Sequence, residues 1–203
     1  MPSQSDFLRL NYRKRAVQRF KRVGMGLVPD YALAPTSGAV ADPATAAQRG
    51  GDVTFVASIE HEGPPDGVLF QIGSGIAGML IGFDGGTTMQ FLDKSGGGPG
   101  GTMTLAPSSG NDEFLLSDGI HTYVWTLQKS AASGNTEGFV WIDGTLCMSG
   151  DTNSLNDWAS GTWTFGEEGA STLTGASVTG DLTNATIIGN LEVFFDTRPA
   201  VLT

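Results

Sequence analysis

From His121 to Gln128 two kinds of residue alternate without a break. His121, Tyr123, Trp125 and Leu127 fall on one side of the chain, and Thr122, Val124, Thr126 and Gln128 on the other. A period of two sends successive side chains to opposite faces of a strand, so this run can bury one face as a strand but not as a helix. Phe55, Ala57 and Ile59 alternate in the same way with Thr54, Val56 and Ser58. Further short apolar runs cover 68–72, 79–84, 88–92, 138–142, 145–149, 162–166 and 190–196, separated by Gly, Pro and Asp clusters. Strands this short, with turn signals about every eight to twelve residues, predict a sandwich or barrel. The 30 glycines suit many tight turns, and 39% hydrophobic residues are enough for a core. Cys147 is the single cysteine, so no intrachain disulfide is expected and packing must hold the fold.

Charge divides the chain differently. Arg9, Arg13, Lys14, Arg15, Arg19, Lys21 and Arg22 stand against one acid, Asp6, in residues 1–22, whereas the remainder has four bases and 20 acids. A basic arm on an acidic body predicts an interaction segment. Ser5 is placed to cap a helix over Asp6 to Val23, with Phe7, Leu10, Val17, Phe20 and Val23 near one face and Gly24 to stop it. Residues 27–50, with Pro29, Pro35 and Pro43, read as an extended linker or a strap laid over another surface. The expected organisation is an arm over 1–26, the strap over 27–50 and one β domain over 51–203. The start lacks the apolar core of a secretory signal, and no apolar run approaches the length of a membrane span.

Four stretches carry a family resemblance. Asp118-Gly119-Ile120-His121-Thr122-Tyr123-Val124-Trp125 resembles a central strand of laminin-G-like domains, with Ile120 where the family usually has Trp. Gly138-Phe139-Val140-Trp141-Ile142-Asp143-Gly144-Thr145-Leu146 is similar to the following hairpin. Its Asp-Gly between apolar runs is the strongest short-range hairpin signal. Pro65–Gly73 resembles an early strand and Gly189–Asp196 the closing one. The resemblance implies an all-β, two-sheet antiparallel jelly-roll sandwich of the laminin-G or concanavalin-like kind, a fold often used to recognise sugars or proteins. Residues 173–189, with their small repeated Leu-Thr-Gly-like units, read as a long connection with some strand character.

The chemistry-bearing motifs resolve mostly to structural readings. Gly73-Ser74-Gly75-Ile76-Ala77-Gly78 matches a dinucleotide fingerprint in spelling, but another short strand follows where that motif needs a helix, so a hairpin is expected. Glu60 and Glu62, two apart on an extended segment, share one face about 7 Å apart, near the spacing of glycosidase acids. They lack the third acid of the concanavalin-like pattern and read as a solvated strand end before Gly63-Pro64-Pro65. His61 and His121 offer little for a metal site or serine triad, and His121 reads as a hydrogen-bonded core residue. No catalytic residue, metal ligand or cofactor is assigned. Calcium stays open, with Asp84, Asp112, Asp143 and Asp151 in expected loops and nothing to choose among them. Trp125 and Trp141 are expected in the core, and Trp158 in a loop as the contact for a ligand. Asn184-Ala185-Thr186 is a glycosylation sequon, read as idle without a secretion signal.

The expectation is therefore a non-enzymatic binding or building protein. The leading form is a bacteriophage virion component, a capsid decoration or a tail or fibre part, made in the host cytoplasm. Residues 1–50 would anchor it to other virion proteins as one copy of an oligomeric assembly. The alternative is a carbohydrate-binding, lectin-like module or adhesin. Neither a membrane nor nucleic acid is an expected partner, because the acidic body repels polyanions.

Overall fold

Glycine and two prolines follow Glu62, yet the strand does not stop there. In the computed structural model, residues 28–35, 39–74, 77–85, 89–94, 102–105, 117–129, 136–152, 161–169, 173 and 175–195 are described. Strand β3 (Val53–Ser74) runs straight through Gly63-Pro64-Pro65 and serves two sheets in turn. Its first half, up to His61, pairs with β7 (Gly119–Lys129) on one side and with β11 (Thr183–Phe195) on the other. Its second half, from Gly67, pairs with β4 (Ala77–Phe83) and β10 (Thr162–Phe165). Proline has no N–H to give a ladder, so Pro64 and Pro65 fall at the corner where β3 leaves one sheet and enters the next. The expected strand end at Glu62 is thus a bend.

The remaining strands extend each sheet antiparallel. In the first, β8 (Thr136–Ile142) and β9 (Thr145–Thr152) follow β7, giving the order β11-β3-β7-β8-β9. In the second, β5 (Met89–Lys94) and β6 (Thr102–Leu105) follow β4, giving β10-β3-β4-β5-β6. Asp143 and Gly144 join β8 to β9 with φ 51° and 84°, the two positive values that a type I′ turn needs. Ser74 pairs with Ala77 and Gly73 with Gly78, so a strand, not a helix, follows the glycines of the motif. The expected all-β sandwich holds.

Two short pieces of the strap are strands. β1 (Tyr31–Leu33) pairs with β11 and β2 (Val40–Ala41) pairs with β10, adding an edge strand to each sheet. A short helix, α1 (Ala46–Arg49), follows with a Thr45–Gln48 capping box, and Arg49 clamps Asp42 at 3.0 Å. Leu33 and Ala44 are buried with the sandwich core. Tyr31–Leu33 and Val40–Ala41 therefore lie on this chain's own sandwich, because an edge strand with unpaired N–H and C=O groups gains ladder bonds from any extended neighbour.

Between the sheets the core is aromatic. Phe55, Phe70 and Trp163 meet in tilted and edge-on contacts, with ring centroids 5.0 to 6.2 Å apart, and Trp125 stacks on Tyr123 at 5.4 Å. A smaller cluster, Val68, Leu80, Leu173 and Val178, sits apart from it. It explains the region expected as a connection: Leu173 and Val178 pack on the second sheet, and Thr183 to Gly189 form the first half of β11. Gly82 permits this packing, since a Cβ there would lie 2.6 Å from Val178 Cγ1.

The corner of β3 is tied down from β11. Asn184 Nδ2 donates to the Pro64 carbonyl at 3.1 Å, Thr183 Oγ1 donates to the Asp66 carbonyl at 3.3 Å, and Gly85 N–H donates to Asp66 Oδ1 at 3.1 Å. Asn184 of the sequon thus has a structural role. At Gly67 (φ 100°) a Cβ would run into the Asp181 carbonyl. Gly67→Ala is expected to destabilise the fold by about 1–3 kcal/mol through this strain. Urea unfolding checks it, and an unchanged midpoint would remove the corner from its place in the fold.

Candidate functional site

At the corner end of the first sheet the core stops being apolar. The inward stripes Phe55, Ala57, Ile59 on β3 and Leu127, Trp125, Tyr123 on β7 finish in His61 and His121. The two imidazoles lie 5.0 Å apart, and the His61 ring also meets Phe83 and Tyr123. Tyr123 Oη and His61 Nε2 share a hydrogen bond of 3.0 Å. His61 Nδ1 is buried and makes no well-formed hydrogen bond, although the Ser117 backbone is near enough to act on its charge.

His121 is the better-satisfied ring. Its Nδ1 lies 2.8 Å from Asp143 Oδ2 and its Nε2 lies 3.1 Å from Ser117 Oγ. The other carboxylate oxygen, Asp143 Oδ1, accepts from the Thr122 backbone N–H at 2.9 Å. Ser117, His121 and Asp143 therefore follow the hydrogen-bonding order of nucleophile, base and orienting carboxylate. The same bonds also fasten the β8–β9 turn to β7, and that role needs no reaction. His61 is held neutral: burial first, then the neighbouring His121, lowers its pKa from 6.5 to about 4, against opposing pulls from the Ser117 backbone, Asp118 and Asp143. Burial likewise raises the Tyr123 phenol, with Asp143 and Cys147 adding to it.

A second feature lies on the outward face of the same sheet. Strand parity and register align Glu192, Val56, Val124, Trp141 and Leu146 in one row, and Phe194, Thr54, Thr126 and Phe139 in the next. Phe139 and Trp141 stack with centroids 5.6 Å apart and are only half-buried, and Leu146 beside them is exposed. Trp141, expected in the core, faces outward. The register Val124↔Trp141, with an irregularity between Val140 and Trp141, puts Val140 and Ile142 inside and Trp141 outside.

No protein-family model matches the chain, and no curated protein matches it by sequence. Solved structures do. The CBM40 of the Ruminococcus gnavus IT-sialidase matches at 12% identity over 84% of this chain and 92% of its own, with TM-score 0.55. Domains LG4-5 of the mouse laminin α1 chain match at 15% identity over 86% of this chain and 48% of theirs, with TM-score 0.52. The botulinum neurotoxin serotype C1 binding domain matches at 15% identity over 71% of this chain and 33% of its own, with TM-score 0.50. The fold is a laminin-G-like jelly roll. The chain spans about half of the laminin fragment and a third of the toxin domain, but nearly all of the CBM40.

The jelly roll brings some sequence candidates together and separates others. Glu60 and Glu62 point outward on β3, one half-buried and one exposed, while His61 between them turns into the core. Asp143 belongs to the His121 network, Asp84 is exposed after β4, and Asp151 lies within β9 opposite Glu137, not in a loop. Among the described residues no three His, Cys, Asp or Glu side chains are grouped to hold a metal. Asp112, Trp158 and the basic arm residues Arg9, Arg13, Lys14, Arg15, Arg19, Lys21 and Arg22 lie outside the described residues. No described helix is long and apolar enough to cross a membrane. Sequence reading missed the Ser117–His121–Asp143 line because it joins the start of β7 to the β8–β9 turn, two segments that only sheet pairing brings together. Its one local signal was Asp143 at the expected turn.

The neutral His61 makes stability depend on pH in a definite direction. Between about pH 6.5 and pH 4 the unfolded chain binds a proton that the folded one refuses, so stability falls as pH drops through that window. From pH 7 to pH 5 the intact chain is expected to lose about 1–2 kcal/mol more than His61→Asn, solvent screening included. Urea midpoints for both at the two pH values measure it; parallel changes would mean that His61 does not resist protonation.

Proposed function

We propose that this chain is a glycan-binding module and that its contact surface is the outward face of β8 and β9. The observation that carries this reading is the half-exposed stacked pair Phe139–Trp141 beside exposed Leu146. Aromatic rings set on a rigid strand offer apolar faces to the C–H side of a sugar ring at little entropic cost, while polar neighbours supply hydrogen bonds. Support comes from the similar CBM40 fold, one structure of which is described as bound to α2,6-sialyllactose. Trp158 is retained as a second candidate contact.

Binding is preferred to hydrolysis on physical grounds. The central member of the Ser117–His121–Asp143 line, the His121 ring, is buried, and Asp143 is also engaged by the Thr122 backbone. Glu60 and Glu62 sit on the outer face with unequal exposure, and the chain has no third acid in the same alternation. The virion reading requires a strap free to reach a shell, whereas Tyr31–Leu33 and Val40–Ala41 are engaged by this chain's own sheets. The glycan reading therefore leads.

A glycan array probed with the intact chain is expected to give selective micromolar binding that Trp141→Ala weakens about tenfold or more, without a change in melting temperature. Trp158→Ala serves as the comparison variant. Binding that survives Trp141→Ala unchanged moves the site elsewhere, and an array with no selective signal rejects the glycan reading. A fluorophosphonate probe is expected to leave Ser117 unlabelled; labelling that Ser117→Ala abolishes would make the triad a working nucleophile.

A further inference from the structure

The charged neighbours of the aromatic pair on β8 are of one sign. On the outward side Phe139 is opposite Thr126 on β7 and Ser149 on β9, and Glu137, two residues along the same strand, is opposite Gln128. Glu137 and Gln128 are half-buried and Ser149 is exposed. Residues two apart on a strand share a face about 7 Å from one another, so Glu137 borders the Phe139 ring. Farther across the same face lie Glu60 and Glu62 on β3 and Glu192 on β11. Among the described residues of this face none is basic.

The turns nearby hold no cation that could be brought to the pair. Between Gly50 and Asp196 there are two lysines and no arginine. Lys94 belongs to β5 of the second sheet, and Lys129 ends β7 in the alternation of Leu127, opposite in parity to Gln128. The stretches 106–116, 130–135 and 153–160 contain no base at all.

A bound carboxylate or sulfate gives up water and needs N–H donors or a cation in return. A glutamate carboxylate offers neither, since it only accepts hydrogen bonds. Two like charges 7 Å apart in water disfavour each other by about threefold in affinity, and by more where the rings displace water. A neutral sugar meets no such cost. Its C–H side suits the rings, its hydroxyls can donate to Glu137, and the Gln128 amide and Ser149 hydroxyl supply donors as well as acceptors.

We infer that the β8–β9 face selects neutral glycans, with Glu137 as the residue that turns away sialylated, uronic-acid and sulfated ones. This selectivity rests on the glycan reading above. It sets the chain apart from the CBM40 structure bound to α2,6-sialyllactose, whose fold it shares.

An array of matched pairs tests it, with each neutral oligosaccharide printed beside its sialylated or sulfated derivative. Lactose beside α2,6-sialyllactose is one such pair. The intact chain is the probe, and the readout is the signal lost in Trp141→Ala. Among pairs that bind, the neutral member is expected to be favoured at least threefold. Glu137→Gln is expected to cut that preference about threefold, with near-ultraviolet circular dichroism unchanged. Trp141-dependent binding in which the charged member is equal or better, whether through cations of residues 1–22 or any others, overturns the inference and leaves the glycan reading standing. No Trp141-dependent binding to either member overturns both. A preference that a folded Glu137→Gln variant keeps in full overturns the part given to Glu137.

Discussion

Both sheets depend on a single stretch of backbone, Glu62 to Gly67, where β3 passes from one to the other. A strand that changes sheet must surrender its ladder partners for a few residues, and each N–H and C=O left unpaired in a buried place costs free energy. Two prolines reduce the number of donors that need partners. The Pro64 and Asp66 carbonyls are answered by Asn184 and Thr183 at the start of β11. Because β3 is central in both ladders, moving this corner by one residue would reverse which side chains face the core along the length of either half. The packing of Phe55 against Phe70 and Trp163 relies on the two halves keeping their present registers.

The same corner sets where polar chemistry can lie. His61 is the last inward residue before the bend, and His121 is near the first residue of β7 that can face it. The end of the sandwich therefore closes over two imidazoles, a phenol and a carboxylate in place of aliphatic side chains. The carboxylate fixes the β8–β9 turn, which in turn orients β8 so that Phe139 and Trp141 look outward. The interior polar network and the exterior aromatic pair are two consequences of one hairpin packed on one strand.

The two faces of the first sheet also differ in how they are completed. The inner face is closed by the second sheet, the ordinary solution for a sandwich. The outer face carries an apolar band beside carboxylates; its central strands are the most sheltered, and the aromatic pair on β8 stays partly open.

Most of the architecture was legible in sequence because its causes are local. Alternation in 53–59 and 121–128 reports which face is buried, and Asp143-Gly144 reports the turn, since each depends only on neighbours in the chain. The family resemblance pointed to the jelly roll on those same runs. What sequence could not show depends on non-local pairing. Tyr31–Leu33 and Val40–Ala41 are too short to announce themselves as strands and exist because β11 and β10 present edges to them. Trp141 has the same composition of neighbours as a core residue, and only the register with β7 turns it outward. Ser117 and His121 lie four residues apart at the start of β7, but Asp143 reaches them only because β7 pairs with β8, which brings two chain segments to one end. The chain by itself determined which segments are strands and where they turn; the tertiary structure decided which faces meet, because register is a property of pairs of strands and not of either one.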